Sequence, residues 1–592
     1  MMDLAFLVGL TALVLLISSD RARRCLFQFV AFLFSEARHS GPNAGPLRST
    51  QILAFDFPNG LGGRMAIRRL HYVCLLTLAV SLGTGAANAQ SFRVQCPTST
   101  ITHPVAANNE SEPAYAGPTY TGTAGFPAAP AHVNGAIKCQ QISGGDGYAT
   151  MGDGTQTYMF SFGPLSGIYD ISQGMPGTQY PSVFNTPYVG AKLQPGEPAT
   201  SGVTYNGAIG LTGDEAVFVD DGTGKNACVT AANPPAACIT GHVDPRQIMD
   251  VGVMNGNIPA PLMAIDEDDE FFLTLTNVGM IMRPDLFEQH TVHFHGYPNA
   301  SSFYDGVPDA SVAINIGASF TYYYLAPDAG TYFWHCHITP PEHLQMGMVG
   351  QIYVRPRQNR VPSTVTLNAA LAQQQLDLRT KCDSTADILC SNPMPAVVTA
   401  ATGGGKYAYN DGDGSTAYDV EYPLQIHGFD PNFHFVGMTF NPEGFADMKD
   451  KYFLLNGRSY PDTVTAGPLQ TQSADGVNHF SQPLPALINI PQGQKALLRI
   501  SDLDVTEYQT LASLGIPMKV IGYNAKLLRD QSGNNLYYTT NSITLAGGES
   551  LDVILDSTNV PKGTYYLYTP NLDHLANDAE NFGGLMTEVH VN

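Results

Sequence analysis

The feature that most constrains this chain is the clustering of its histidines around one cysteine. Six of the 16 histidines fall between His290 and His343, in two tight groups, and Cys336 lies inside the second group. In a β-strand, residues two apart point to the same face. The spacing therefore predicts that His335 and His337 face one way and Cys336 the other, so that two separate ligand sets form.

Four side chains around the cysteine suit a copper ion. A thiolate, two imidazoles and a weak thioether make the trigonal site in which copper changes between Cu(I) and Cu(II) with little rearrangement. Cys336, His290, His343 and Met348 can supply that set. Zinc also takes Cys and His ligands, but the Met and the single Cys favour copper. We therefore expect one blue copper site.

Length and composition indicate several all-β domains. A chain of 592 residues exceeds what one hydrophobic core usually serves. The composition is rich in Gly (59), Pro (41) and Tyr (29), charged residues make up only 14%, and no long stretch shows helical periodicity. These features favour short strands joined by turns. The net charge of −22 argues against nucleic acid as a partner, because phosphates would repel it.

The beginning of the chain has the layout of a secretory signal. Residues 65–89 combine a basic start at Arg68 and Arg69, an apolar stretch and the small-residue cleavage pattern Ala87-Asn88-Ala89. We therefore expect an exported protein, periplasmic or extracellular. Residues 1–64 are expected to be an upstream segment, with translation beginning at Met65; a membrane anchor is the alternative.

The cysteine count agrees with export. Removing the first 89 residues leaves seven of the nine cysteines, and setting Cys336 aside as a thiolate ligand leaves six. An oxidising compartment permits disulfides. Their order along the chain favours three local pairs: Cys96 with Cys139, Cys228 with Cys238, and Cys382 with Cys390.

Composition divides the remainder into an extended arm at 90–134, a copper-binding domain at 135–356, a linker at 357–420 and a second domain at 421–592. A large loop insertion is expected at about 163–246. The first domain should contain the following strands: Thr157–Phe162, Glu270–Thr276, Thr291–His295, Ser319–Tyr324 and Gly330–His335.

The second domain reads as a degenerate copy of the first. The stretch Thr291–Pro298 corresponds to Thr510–Pro517, and Gly330–His337 corresponds to Gly563–Pro570. The candidate ligands are replaced in the copy as follows: His290 by Gln509, His293 by Ala512, His295 by Leu514, His335 by Tyr568, Cys336 by Thr569 and His337 by Pro570. We therefore expect copper in the first domain only.

Two further patterns are interpreted as structural. The acidic run Asp266–Glu270 is expected to be solvated at the start of a strand rather than to bind a cation. The remaining second-domain histidines show no paired spacing and are expected to be ordinary packed or surface residues: His427, His434, His479, His574 and His590.

The motifs resemble those of the multicopper oxidases. The resemblance rests on His290-x-x-His293-x-His295-Gly296, on His335-Cys336-His337 followed by His343 and Met348, and on Asp305-Gly306-Val307-Pro308. It covers about Cys139 to Val354 with ligand motifs, and Tyr422 to Asn592 by scaffold only. It implies two cupredoxin-like (plastocyanin-like) Greek-key β-sandwich domains.

The resemblance also assigns roles. It places Met348, rather than Met346, as the axial ligand of the blue copper, because the family pattern has this ligand five residues after the loop histidine. The bridge His335-Cys336-His337 would carry electrons to a second copper centre. The imidazoles of that centre would be His293, His295, His335 and His337.

The chain departs from the family in two ways. Two residues are inserted at Pro340-Pro341, which lengthens the loop to His343. The trinuclear cluster of the family takes eight histidines, and this chain offers four in motif context. We therefore expect a copy of the chain or another protein to complete the site.

Three functions remain open from the sequence. They are an oxidase-like enzyme that can reduce oxygen, an electron-transfer protein with blue copper only, and an enzyme like the copper nitrite reductases. The electron donor would be a small molecule, a metal ion or a redox protein.

Overall fold

A computed structural model describes most of the chain beyond residue 93. All described residues belong to one compact unit. The described residues are 94–123, 126–127, 131–185, 255–280, 282–283, 286, 288–296, 301–326, 328–379, 390, 392–439, 444–472 and 478–592. The expected upstream segment, the signal and most of the expected insertion lie outside them.

The first domain is a sandwich of two four-stranded sheets. Its chain segment contains β1 (Gly122–Thr123), β2 (Phe126–Pro127), β3 (Ile137–Thr150), β4 (Gln156–Pro164), β5 (Met263–Asp266), β6 (Glu270–Gly279), β7 (His293–Phe294), β8 (Ser319–Leu325), β9 (Gly330–His335) and β10 (Val349–Arg355). One sheet has the order β4-β3-β6-β8 and the other β5-β10-β9-β7. The chain crosses repeatedly between the sheets.

Apolar side chains from both sheets fill the space between them. Phe162 of β4 and Trp334 of β9 lie with ring centroids 5.0 Å apart, and Phe271 of β6 is fully buried. This core continues to Cys336, which directly follows β9. The end of β9 therefore brings the cysteine into an apolar interior.

The second domain repeats this design with larger sheets. The connecting segment and the second domain contain β11 (Lys406–Tyr407), β12 (Ala417–Tyr418), β13 (Val420–Phe429), β14 (Tyr452–Leu455), β15 (Leu469–Gln472), β16 (Asn478–Gln482), β17 (Ile488–Ile490), β18 (Lys495–Asp502), β19 (Gln509–Leu514), β20 (Met518–Tyr523), β21 (Lys526–Leu527), β22 (Tyr538–Thr540), β23 (Ser542–Leu545), β24 (Glu549–Asp556), β25 (Gly563–Tyr568), β26 (Ala576–Asn577), β27 (Glu580–Asn581) and β28 (Met586–Val591). The sheet order β14-β13-β18-β24 matches β4-β3-β6-β8, and β17-β28-β25-β19 matches β5-β10-β9-β7.

Helices are short and join the strands. The α-helices are α1 (Ile168–Ser172), α2 (Pro181–Phe184), α3 (Pro340–Gln345), α4 (Leu367–Gln374) and α5 (Pro431–Thr439). The 3-10 helices are Ala106–Asn108, Ser302–Tyr304, Arg357–Arg360, Phe445–Asp447, Asp462–Val464 and Leu572–His574. Among the described residues, no helix combines the length and apolar character needed to cross a bilayer. The expected all-β class with two sandwich domains is confirmed.

Strand register agrees with the internal repeat read from the sequence. In the first domain β7 pairs with β9 so that His293 lies opposite His335. In the second domain β19 pairs with β25 so that Ala512 lies opposite Tyr568. These are the residues that the sequence comparison placed at equivalent positions. The same scaffold therefore carries histidines in one copy and none of them in the other.

One expected strand is shorter than its pattern indicated. Thr291–His295 was expected to be extended throughout, but β7 contains only His293 and Phe294. His290 instead forms an isolated bridge with Ile314, and Gly296 has a φ of +79°. The chain thus turns away from the sheet on both sides, which directs the two groups of ligands to different places.

The expectation of a solvated acidic run at Asp266–Glu270 is wrong, because all five residues are buried. Nε of Arg357 lies 2.6 Å from Oδ2 of Asp268, and an amino group of Arg379 lies 2.7 Å from Oδ1 of the same residue. Burial would raise the pKa of Asp268, but the two guanidinium groups lower it well below its usual value. The connecting segment thus packs its arginines onto the first domain.

One disulfide ties the N-terminal arm to the first sandwich. The expected pair Cys96–Cys139 is present and links the arm to β3. Cys390 also forms a disulfide, and its expected partner, Cys382, lies outside the described residues. Cys228 and Cys238 lie outside them as well. Within the described ranges, Cys336 is the one free cysteine, and it is buried.

Replacing Arg357 with Ala should destabilise the protein strongly. The change leaves Asp268 and Glu267 buried with fewer cationic partners, which costs about 3–5 kcal/mol for a buried ion pair. Replacing Lys495, whose pair with Asp556 is exposed, with Ala should cost less than about 1 kcal/mol. Urea unfolding of both variants tests this. Equal losses would contradict the importance of the buried pair.

Candidate metal centre

The first candidate ligand, Cys336, is placed by the end of β9. Its backbone N–H donates to the carbonyl oxygen of Met348 at 3.2 Å, and the backbone nitrogen of Thr291 lies 3.4 Å from its Sγ. The side chain is fully buried. The sulfur is therefore fixed between the strand, the segment that precedes β7 and the loop that follows β9.

Two imidazoles converge on this sulfur. Nδ1 of His343 lies 3.2 Å from Sγ of Cys336, and the ligand atoms of Cys336, His343 and His290 all lie within 4.8 Å of one another. Both ring nitrogens of His290 are buried without a hydrogen-bond partner. Buried polar atoms are normally paired. These nitrogens therefore fit a metal ion as their missing partner.

A glycine in β3 makes room for His290. A Cβ atom at Gly144 would lie 2.6 Å from Cδ2 of His290, closer than real side chains approach. Glycine is unfavourable in the interior of a strand because it packs no side chain. Here the missing side chain is required, since the imidazole occupies its space.

The loop from Cys336 to Met348 contains α3, which carries His343. The inserted pair Pro340-Pro341 forms the first turn of this helix, a position that suits proline because its missing N–H has no helical partner there. The backbone N–H of Met348 donates to the carbonyl oxygen of His343 at 2.9 Å. The insertion thus lengthens the loop without separating the candidate ligands.

Met348 and Met346 are both buried but have different surroundings. A Cβ atom at Gly437 of α5 would lie 3.5 Å from Sδ of Met346, so this methionine packs on the second domain. Met348 is instead hydrogen-bonded through its backbone to Cys336 and His343. These backbone contacts hold Met348 next to two of the candidate ligands.

Charge at this site is balanced inside the protein. Burial would raise the pKa of the Cys336 thiol, but His343 and His290 lower it well below its usual value. Burial would lower the pKa of His343, yet Cys336 and Glu288 raise it to about 9. A carboxylate oxygen of Glu288 lies 3.6 Å from Nε2 of His343. Cys336 and His343 therefore each favour the charged form of the other.

The other four histidines gather on the opposite side of the same strands. The ring centroid of His293 lies 4.9 Å from that of His295, 5.5 Å from that of His335 and 5.0 Å from that of His337. The Nε2 atoms of His295 and His335 face each other at 2.9 Å. The structure thus brings ligand atoms of His293, His295 and His335 within 4.8 Å of one another, and the ring of His337 lies beside that of His293.

Backbone carbonyls orient two of these rings. Nδ1 of His293 lies 2.6 Å from the carbonyl oxygen of Asp305, and Nδ1 of His335 lies 2.7 Å from that of Cys336. A carbonyl only accepts, so each Nδ1 donates, and in the neutral ring each Nε2 carries a lone pair instead of a hydrogen. Burial lowers the pKa of His335 to about 3 and that of His295 to about 4. Neutral imidazoles are the form that binds metal.

Second-domain residues reach this group of histidines. His295 and His335 line a cavity of about 440 Å³ together with Asp504 and Glu507. A neighbouring cavity of about 450 Å³ is lined by His293, His295, Asp305 and residues that include Lys526. Among the described residues, the second-domain lining of these cavities contains no histidine.

Some residues at the site gave no signal in the sequence. Glu288 contacts His343 but stands outside every motif. His427 and His434 were expected to lack a special role, yet both ring systems face the carbonyl oxygen of Gln345, two residues after His343. A lone histidine far along the chain carries no spacing pattern, so only the tertiary structure shows this contact.

Comparisons with known proteins identify part of the chain. Residues 239–359 match the family model described as multicopper oxidase. Laccase abr2 of Aspergillus fumigatus is 34% identical over 109 residues, which is 18% of this chain and 17% of that protein. Multicopper oxidase MmcO of Mycobacterium tuberculosis is 30% identical over 137 residues, 23% of this chain and 25% of that protein. The matches thus span a quarter or less of these relatives.

The comparisons also match a protein that is named for a different activity. A copper-containing nitrite reductase of Rhizobium meliloti is 35% identical over 109 residues, 18% of this chain and 26% of that protein. Among solved structures, a blue copper oxidase from Nitrosomonas europaea is 22% identical with a TM-score of 0.38, covering 57% of this chain and 78% of that one. The resemblance to multicopper oxidases expected from the motifs is confirmed for the matched segment.

Replacing Met348 with Leu should raise the reduction potential of copper bound at Cys336 and preserve its visible colour. The change removes a weak donor that stabilises Cu(II), while the thiolate and both imidazoles stay. The matched change of Met346 to Leu should leave the potential unchanged. Redox titration of the visible band compares them, and a shift confined to the Met346 variant would show that the axial residue is Met346.

Proposed function

We propose that this chain, whose residues 239–359 match the multicopper oxidase family model, is an exported copper-dependent oxidoreductase. It would take single electrons from a donor at a blue copper and pass them to a second copper centre, with oxygen as the acceptor. The donor would be a small molecule, a metal ion or a redox protein. The Cys96–Cys139 disulfide supports an oxidising compartment.

The observation that carries this proposal is that one thiol and two imidazoles converge in the buried core. Cys336, His343 and His290 meet inside the core, and both nitrogens of His290 lack partners. Copper bound there would accept and release single electrons with little change in geometry. The surrounding sandwich buries these three side chains.

The covalent chain itself connects the two proposed centres. Cys336 is bonded through the backbone to His335 and His337, and its carbonyl oxygen accepts a hydrogen bond from Nδ1 of His335 at 2.7 Å. The thiolate therefore belongs to one ligand set while its two neighbours belong to the other. This placement supports His335, Cys336 and His337 as the electron path.

A nitrite reductase-like enzyme is the second candidate, favoured by the match to the Rhizobium meliloti protein. Nitrite reductases have an aspartate where His293 stands and lack the counterpart of His337. Four clustered imidazoles therefore support the oxidase-like function more strongly. An electron-transfer protein with blue copper alone would leave the four-histidine group without a purpose.

Replacing Cys336 with Ser should abolish the blue colour. Oxidised wild-type protein is expected to absorb strongly at about 600 nm through charge transfer from the thiolate to copper. A serine hydroxyl offers no soft, easily ionised sulfur. Visible spectra of both proteins loaded with copper test the site, and a band that persists in the variant would overturn the assignment.

The four-histidine group is half of an eight-histidine site, and we propose that a second copy of the chain supplies the rest. A two-fold interface presents the same patch on both subunits, so four plus four imidazoles would meet. The second domain contributes oxygen and amide groups near these cavities, and it has lost the aligned histidines.

Copper content, solution mass and oxygen uptake measured together test this assembly. A dimer with more than one copper per chain and oxygen consumption is expected. One copper per monomer without oxygen uptake would indicate an electron carrier. Two coppers per chain with nitrite turnover would indicate the reductase. Replacing His293 and His337 with Ala should lower the copper count and leave the blue band in place.

A further inference from the structure

Gln345 lies in the loop from Cys336 to Met348, which we call the copper loop. It ends α3, it is fully buried, and it stands between His343 and Met348 in sequence. Its side chain contains one donor and one acceptor group that must both be satisfied in the interior. The partners that satisfy them come from the second domain.

The side-chain contacts of Gln345 are made to two aspartates. Nε2 donates to Oδ1 of Asp450 at 2.9 Å, and Oε1 accepts from the backbone N–H of Asp430 at 2.9 Å. Its carbonyl oxygen faces two imidazoles, with Nε2 of His434 at 2.9 Å and Nε2 of His427 at 3.4 Å. Gln345 thus makes two side-chain hydrogen bonds to the second domain, and two imidazoles of that domain face its backbone carbonyl.

These partners are themselves fixed. His434 stacks on Phe429 with ring centroids 3.5 Å apart, and its Nδ1 lies 2.6 Å from the carbonyl oxygen of Tyr158 in β4. The imidazole therefore spans from a strand of the first sandwich to the loop. Burial lowers the pKa of His434 to about 3. The neutral ring has one N–H, so it donates to one of these two carbonyl oxygens and packs against the other.

Asp450 is itself surrounded by polar side chains of the second domain. The hydroxyl of Thr506 contacts Oδ2 of Asp450 and also lies 3.0 Å from Oδ1 of Asp504. Burial, together with the charge of Asp504, raises the pKa of Asp450 well above its usual value.

We propose that Gln345 is a positioning residue through which the second domain fixes the copper loop and so sets the affinity of the site for Cu(II). The second domain would then act on copper without supplying a ligand. This inference rests on the proposed blue copper at Cys336. Partners that orient metal ligands commonly change affinity by about 10–100-fold when removed.

Replacing Gln345 with Leu tests the proposal. The side chain keeps its approximate size but loses both hydrogen bonds. Competition with a chelator should show Cu(II) binding weakened by about 10–100-fold. The ratio of the visible bands should also change, because the His343 and Met348 ligands shift. Native affinity together with a native spectrum would overturn the inference.

Gln351 provides the matched control. It is a buried glutamine of β10 whose Nε2 donates to the carbonyl oxygen of Arg499 at 3.0 Å and lies 2.9 Å from Oγ of Ser501. Replacing it with Leu removes contacts to the same domain from a strand that follows the loop, without touching the loop itself. Affinity and spectrum should be unchanged; an equal loss would mean that any interdomain contact has this effect.

Substitutions of Asp450 keep the test decisive if the Gln345 variant fails to fold. Asp450→Asn keeps an oxygen that accepts from Gln345 and should preserve affinity and spectrum. Asp450→Leu removes that oxygen and should weaken copper binding like the Gln345 variant. Equal behaviour of the two Asp450 variants would overturn the inference. A wild-type protein without a blue band would instead reject the proposed function.

Discussion

Burial of a thiolate and two imidazoles in an apolar sandwich is the constraint on which the rest of the first domain depends. Cys336 and the rings of His290 and His343 are fully buried among aromatic residues such as Phe160 and Trp334. Unpaired polar groups in such a place are costly. Cys336 raises the pKa of His343, and binding of a metal ion would require this imidazole in its neutral form. Structure around the site therefore serves to keep these groups together.

Comparison of the two sandwiches shows how the same scaffold remains stable without ligands. Gln509 stands where His290 does in the first domain, and its amide donates to Asp504 at 2.6 Å. Its Oε1 lies 2.9 Å from Nδ1 of His574, which is buried against Phe453. A hydrogen-bond network thus occupies the position of the proposed metal site. The second domain therefore stays folded without a metal site, and its residues can pack against the first domain.

Much of the fold was predictable from local pattern, but its polar parts were not. Aromatic and β-branched runs indicated β6, β8 and β9 within a few residues. The long strand β3 was missed because its sequence, with Gly144, Gly145 and Gly147, lacks the alternation typical of strands. The acidic run at Asp266–Glu270 was misjudged because its partners, Arg357 and Arg379, lie about a hundred residues further along the chain. Charge alone predicts solvent exposure; only folding supplies the counter-charge.

The sequence by itself determined the all-β class, the repeat and the identity of the eight candidate ligands, because strand periodicity and ligand spacing are local properties. It could not determine that Glu288 contacts His343, nor that His434 and Asp450 reach the loop through Gln345. Those contacts join residues that are distant in sequence and carry no shared pattern. Tertiary structure decided them, since only the packing of one sandwich on the other brings a buried polar group to its partner.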